Sequence, residues 1–292
     1  MQTHTDHDVL KVIQERLSQI EQRFDVDIIL AVESGSRAWG FASPDSDWDV
    51  RFLYVHRKEW YFKVHPGRDV IETGIEQHPL GELDINGWEL RKSLQLLHKS
   101  NPALMEWLQS PLIYRRDQDV MNQYQTHADI FFKPQACFQH YVSMAITNYR
   151  QYLQRDSVRL KKYLYVLRPL FACQWIERYG SMPPIEFHKL IDELLPSGEL
   201  RQEIDLLLAK KIAGGESEES APIKPLNQFI EAELERVEAL LLAHQDPVLQ
   251  GLADVAALEL GDRLVIAARA KRFDRALGGG LGGSLRLAVG LR

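Results

Sequence analysis

Cysteine is scarce in this chain, two residues in 292, and that scarcity excludes a small disulfide-stapled secreted scaffold. Cys137 and Cys173 both fall in apolar, helix-patterned stretches, so reduced core thiols are expected, not a bridge or a metal pair. Long apolar runs are missing too. None reaches the roughly 18–20 residues a membrane-spanning helix needs. Segment 1–8 is polar and lacks the apolar stretch of a secretory leader, which makes the cytoplasm the expected compartment. Positive charge is not in excess. Lys and Arg number 35 against 41 Asp and Glu, a formal net charge of −6, which argues against a broad basic nucleic-acid-binding surface but leaves room for a local basic patch. What is present in ordinary measure is hydrophobic residues, at 45%, enough for a real core in one large or two modest domains.

The most informative stretch is 32–54. An apolar strand, 28–32, runs into a small turn at Ser34-Gly35-Ser36, then a polar loop with Pro44 and Asp45 as turn residues, then Asp47-Trp48-Asp49 opening a second apolar run, 50–55. Residues i and i+2 of a strand share a face, so Asp47 and Asp49 are expected side by side with Trp48 turned away. Two carboxylates held that close repel unless a cation sits between them. Oxygen-only ligands suit a hard ion such as Mg²⁺, which takes one or two carboxylates plus substrate phosphates. Gly35 and Ser36 supply the complementary half: a glycine lets backbone N–H groups approach a phosphate, and a helix starting there adds its positive end. Together these are the parts of a phosphoryl- or nucleotidyl-transfer site. The alternation Asp45, Asp47, Asp49 also suggests a calcium loop, but Val50 stands where that loop needs glycine and His56 where it needs a bidentate Glu. A plain polar turn before a strand accounts for one aspartate, not for two on one face beside a Gly-Ser turn.

These residues carry a resemblance. Gly35-Ser36 followed by Asp47-Trp48-Asp49 is similar to the signature of the DNA-polymerase-β-like nucleotidyltransferase superfamily. The fuller text, Glu33 to Gly40 and Asp45 to Phe52, resembles the bacterial nucleotidyltransferases called RNA-ligase-associated, with similarity over about residues 28–179. The resemblance implies an α/β (α+β) fold, a polymerase-β-like core with a small mixed sheet followed by a helical domain. It implies transfer of a nucleoside monophosphate from an NTP, expected to be ATP, to an acceptor hydroxyl, with two Mg²⁺ ions. Asp47 and Asp49 would bind both ions, Gly35 and Ser36 would hold the β,γ-phosphates, and Arg37 and Arg51 are candidate phosphate or carboxylate partners. Arg51 shares the strand face of the two aspartates and is placed to brace them.

The remaining chain reads as follows. Residues 7–24 have helical apolar spacing at Val9, Leu10, Ile13, Leu17 and Ile20. Residues 57–64 begin a short helix; 69–75 and 83–85 read as strands separated by Pro79 and Gly81. Asp84, between Leu83 and Ile85, is the expected third carboxylate, completing a site with two metals about 3.5–4 Å apart and helping to activate the acceptor. Its competitors are Glu72, Glu76 and Glu82, and the alternative role for Asp84 is capping a helix that begins near Gly87. An amphipathic helix over 88–98 is broken at Asn101-Pro102. Asn101 caps the next helix, 103–108, where Glu106 and Trp107 are expected to be structural.

From Gln135 the pattern is helical: 136–154, 157–179, 184–195, 198–212 and 226–244. The expected domains are a nucleotidyltransferase core over 1–132, a helical domain over 133–246 and an atypical tail over 247–292. In the second long helix Lys161, Tyr165 and Arg168 fall at i, i+4 and i+7, one face. Arg as a planar fork and Lys as a point charge suit a triphosphate, and the superfamily resemblance implies a clamp from the helical domain. The alternative is a solvated basic face, or, with Arg150, Arg155, Arg159 and Lys162 nearby, a track for acceptor RNA. The tail holds eight of the 18 glycines and no tryptophan; its run 278–283 lacks the Gly-Lys-Ser/Thr ending of a phosphate loop, and disorder is expected over 278–292. Three function classes stay open: a nucleotidyltransferase acting on RNA or a small molecule, a protein AMP-transferase acting on a partner protein, and a non-catalytic nucleotide-binding module.

Overall fold

A computed structural model describes residues 2–79, 81–214 and 219–245. The tail over 247–292, including the disorder expected at 278–292, lies outside the described residues. The chain divides into two compact units, Met1–Val237 and Glu238–Arg292; the first holds every element described below except the end of α11, past Val237.

Helix α1, Gln2–Phe24, turns Val9, Ile13, Leu17 and Ile20 inward at the spacing its sequence shows. Strand β1, Val26–Glu33, follows after Asp25, a short polar residue that accepts the left-handed conformation (φ 50°) of the tight join. One helical turn, α2 at Gly35–Ala38, and a loop lead to β2, Trp48–His56. A second single turn, α3 at Lys58–Tyr61, precedes the hairpin of β3, Val70–His78, and β4, Gly81–Glu89. Helices α4, Leu90–His98, and α5, Pro102–Gln109, come next, then β5, Ile113–Arg116, and α6, Gln118–Phe131.

The five strands form one mixed sheet in the order β3-β4-β2-β1-β5, with β2 and β4 parallel and the other pairs antiparallel. One face packs Trp48, Val50, Phe52 and Tyr54 of β2, with Leu83 and Ile85 of β4, against α1. The other packs Leu53 against Leu97, Leu104, Met105, Trp107 and Met121 from α4, α5 and α6. A register shift between Ile28 and Leu30 marks a bulge that gives Ile29 and Leu30 to this second face together, so β1 is buried on both sides. Gly87 of β4 stands opposite Phe52; a Cβ there would lie 2.1 Å from the Phe52 ring, so the full ring fits only beside glycine.

Past α6 the unit is mainly helical: α7, Pro134–Asn148, which ends in a π-helical turn at Tyr149–Leu153; β6, Val158–Arg159; α8, Lys161–Tyr179; α9, Phe187–Leu194; α10, Glu199–Ile212; β7, Glu219–Ser220, paired with β6; and α11, Lys224–Gln245. Among the described residues no helix is long and apolar enough to cross a membrane. Cys137 and Cys173 are buried thiols whose burial pushes their ionisation upward, to about 12 for Cys137.

Two expectations need correction. The strand expected over 83–85 runs the length of Gly81–Glu89, because it pairs with β2 from Trp48↔Leu83 to Tyr54↔Glu89. The helix expected near Gly87 therefore begins at Leu90, capped by the Glu89 side chain accepting from Arg91 N–H at 2.6 Å. Asp84 lies mid-strand and caps nothing. The Asn101 cap is as read: its side chain accepts from Leu104 N–H, with Pro102 in the first turn.

Candidate active site

Strand alternation builds the site. In β2, Trp48 and Val50 face α1, so Asp49 and Arg51 face the opposite way. In β4 the same alternation frees Asp84 and Asn86. Parallel register then sets Asp49 beside Asp84 and Arg51 beside Asn86. Adjacent strands lie about 4.8 Å apart, so the two carboxylates are neighbours. The Arg51 guanidinium binds both, at 3.1 Å from Asp49 Oδ1 and 2.7 Å from Asp84 Oδ2, and donates to the Asp84 carbonyl at 2.8 Å. Asn86 Nδ2 donates to Asp84 Oδ1 at 2.5 Å. Burial raises the pKa of Asp49, and the Asp84 charge adds to the rise while Arg51 opposes it.

The Gly35 bend closes over Asp49. Ser34 N–H donates to the Asp49 carbonyl at 2.9 Å, and a Cβ on Gly35 would lie 2.1 Å from Asp49 Oδ2. Gly35 also has φ 59°. Only glycine satisfies both demands. Ser36 is the next residue of α2 and Arg37 the one after. Among the described residues Arg37 pairs with no carboxylate. Its Nε donates to the Asp47 carbonyl at 3.1 Å and an Nη to the Ser46 carbonyl at 2.6 Å, while its guanidinium lies 3.6 Å from the Trp48 ring centre. Those bonds hold the chain just ahead of β2, so the strand starts at Trp48 and the exposed Asp47 stands one residue outside it. Among the described residues no group of three or more His, Cys, Asp or Glu side chains is gathered to hold a metal ion. The carboxylates that the fold brings together are Asp49 and Asp84.

The expected helical stripe divides. Lys161 and Tyr165 are half-buried at the start of α8, and the Tyr165 ring meets Trp39 edge-on at 5.8 Å. Arg168, expected on the same open face, is buried instead. Its guanidinium binds Glu106 at 2.9 Å and the Ile185 carbonyl at 3.2 and 3.3 Å, and lies 4.7 Å from the Trp39 ring centre. Tyr141 also donates to Glu106, at 2.7 Å. A buried guanidinium needs such compensation, and Glu106 supplies it. Glu72, Glu76 and Glu82 lie on β3 or at the start of β4, and Glu76 is bound by Arg16.

Glu33, assigned no role from the sequence, is tied directly to Asp49. It is fully buried at the end of β1; one oxygen accepts from Asp49 N–H at 2.8 Å and the other from the Tyr114 hydroxyl. Burial pushes its carboxyl up to about 7, against those two hydrogen bonds. The available signal was one acid closing an apolar strand immediately before the glycine bend. Tyr114 gave no signal, since only the pairing of β5 with β1 brings it there.

Comparison with known proteins follows from this geometry. The model of the RNA repair pathway DNA polymerase beta family (RlaP) matches residues 9–255. The uncharacterized protein YcgL of Bacillus subtilis (strain 168) is 51% identical over 223 residues, which cover 76% of this chain and 84% of that protein. A crystal structure of a nucleotidyltransferase-like protein from Exiguobacterium sibiricum 255-15 aligns over 80% of this chain and 81% of its own, at 15% identity and a TM-score of 0.29.

Proposed function

The chain belongs to the RNA repair pathway DNA polymerase beta family and is a nucleotidyltransferase, and from that premise we propose that it transfers a nucleoside monophosphate from an NTP, ATP first among them, to a hydroxyl of RNA. The acceptor oxygen attacks the α-phosphorus, the bond to the β-phosphate oxygen breaks, pyrophosphate leaves, and the acceptor proton passes to a carboxylate. The observation that supports this reading is the placement of Asp49 and Asp84 side by side on parallel strands, under a glycine bend that touches Asp49.

The donor set suits Mg²⁺. Two half-buried carboxylates share one guanidinium, and burial, with the Asp84 charge beside it, raises the pKa of Asp49. Asp49 and Asp84 would hold the ions, with Asp47 added from the adjoining loop. Two bound ions would polarise the attacking and leaving oxygens. The chain's own groups do the rest. Arg51 braces Asp49 against Asp84. Gly35 and Ser36 offer backbone N–H groups to the β,γ-phosphates, with Arg37 fixing the loop beside them. Asp84 accepts the acceptor's proton or positions its oxygen. Lys161 and Tyr165 meet the polyphosphate from α8, and Arg168 acts behind them by holding Trp39 and Glu106. This reading keeps a core over 1–132 and a helical domain over 133–246.

Incubation with labelled ATP, Mg²⁺ and either total RNA or cell lysate tests the reaction. Label in RNA, lost in Asp49→Asn and Asp84→Asn, is the expected result. Label in a protein band would instead identify a protein AMP-transferase. ATP binding without turnover, unchanged by both substitutions, would leave only a nucleotide-binding module.

A further inference from the structure

Strand β1 ends on Glu33, an acid with no solvent exposure, and a buried carboxylate is costly unless its oxygens are bonded. Both are: one accepts from the Asp49 N–H at 2.8 Å and the other from the Tyr114 hydroxyl. The strand ladder explains why an acceptor is needed here. In an antiparallel pair, every second set of facing residues exchanges two N–H···O=C bonds. Glu33 faces Val50, so the next facing residues are Ser34 and Asp49. They make one backbone bond, Ser34 N–H to the Asp49 carbonyl at 2.9 Å. The chain then turns at Gly35 into α2, and the Asp49 N–H goes to the Glu33 side chain. Glu33 is itself fixed by the segment entering β5. Its N–H donates to the Leu112 carbonyl at 2.9 Å, and its carbonyl accepts from Ser110 Oγ at 2.6 Å. One residue thus holds the root of the bend through its backbone and the first turn of β2 through its side chain.

We propose that Glu33 is a positioning residue: it keeps the Gly35 bend and the Asp49 carboxylate in one register, so that phosphate and metal would meet at a fixed spacing. The role rests on the transferase reading; the register does not. A continued ladder would satisfy the Asp49 N–H with a backbone carbonyl and allow an apolar residue at 33, with no acid to desolvate. The acid instead lets the chain leave the sheet at Ser34 and close Gly35 over Asp49. Removing a partner that orients a metal ligand weakens metal binding by about 10–100-fold.

Glu33→Met fills the space and removes the acceptor, whereas Glu33→Gln keeps an acceptor for the Asp49 N–H. Glu21→Met is the control, because the Glu21 carboxylate accepts from the Ile28 N–H at 2.9 Å, near the other end of β1. Two quantities are read on the full chain: hydrogen exchange of the Asp49 amide by NMR, and the Mg²⁺ midpoint of the melting shift in the presence of ATP, which needs no acceptor. In Glu33→Met the Asp49 amide should exchange faster while the Ile85 amide of β4 does not, and the Mg²⁺ midpoint should rise about tenfold. Glu33→Gln should restore both. Glu21→Met should lower the melting temperature without moving the midpoint. Tyr114→Phe, which removes only the hydroxyl, should shift both readouts the same way by less, and it decides the question if Glu33→Met does not fold. An Asp49 amide as slow as in the wild type, having taken the Ser34 carbonyl, overturns the proposal, and so does an unmoved Mg²⁺ midpoint. If Mg²⁺ and ATP do not stabilise the wild type, the transferase reading fails, while the exchange result still decides whether Glu33 holds Asp49 at the bend.

Discussion

At the scale of single residues, the site is set by two side chains that the backbone forces together and one that is missing. Gly35 has no side chain because Asp49 Oδ2 occupies the space and because φ is 59°. Gly35→Ala should cost about 1–3 kcal/mol for the left-handed backbone alone. It should also displace the Asp49 carboxylate, so transfer should fall further than stability. Denaturant melts beside activity would show it; an alanine variant with unaltered turnover would remove Gly35 from the site. A second residue reports on pH. His56 stacks on Trp60 at 4.3 Å between ring centres, its Nε2 is buried without a partner among the described residues, and burial lowers its pKa. The unfolded chain therefore takes up this proton at a higher pH than the folded one. The linkage is positive: stability contributed by neutral His56 is present above the unfolded value near 6.5 and is lost as pH falls through the window below it. His56→Phe keeps the stack and removes the proton. The wild type should lose stability relative to His56→Phe as pH falls from about 7 toward 5. Parallel pH curves for the two proteins would show that His56 is not responsible.

Elements carry the next level of organisation, and buried ion pairs fasten them. Glu106 on α5 and Arg168 on α8 meet away from water, with Tyr141 of α7 on the same carboxylate and Trp39 against the guanidinium. Arg168→Met strands Glu106 and should cost about 3–5 kcal/mol, whereas pairing it with Glu106→Gln should recover much of that loss. A double variant no more stable than Arg168→Met would mean that the charge of Glu106 is not the source of the penalty. This junction also shows what the sequence could reveal. Helix periodicity displayed α1, α8 and α10, the Asn101-Pro102 pair displayed the start of α5, and Leu-Asp-Ile displayed the strand bearing Asp84. Local pattern extends no further than the element. The four residues of β5 acquire strand structure from pairing with β1. Arg168 reads as part of a polyphosphate clamp because nothing local announces Glu106, 62 residues earlier. What the sequence carried well was the Gly35 bend with Asp49 and Asp84, because backbone conformation and strand alternation are local properties. What it could not carry was the packing that holds them.

Across the compact unit Met1–Val237, the proposed ligands would bridge the sheet and α8. The proposed metal carboxylates sit on β2 and β4, and Lys161 and Tyr165 sit on α8, where Tyr165 meets Trp39. A nucleotide held at both places would bind the folded unit and not the unfolded chain. Mg²⁺ and ATP together, at about 100 times their dissociation constant, should add roughly 2.7 kcal/mol of stability. For a unit of this size that is a rise in Tm of about 5–10 °C. Mg²⁺ alone should do less, since its midpoint depends on phosphate oxygens as further ligands. ATP with EDTA should also do less, because the polyphosphate would then face Asp49 and Asp84 uncompensated. The charge pair makes a sharper demand on Asp49→Asn. That variant removes the charge whose burial, with Asp84 beside it, raises the Asp49 pKa, so its apo form should melt no lower than wild type, yet the joint stabilisation should vanish. If Asp49→Asn kept the full shift with Mg²⁺ and ATP, the nucleotide would be binding elsewhere on the unit, and the two carboxylates would be a structural pair braced by Arg51.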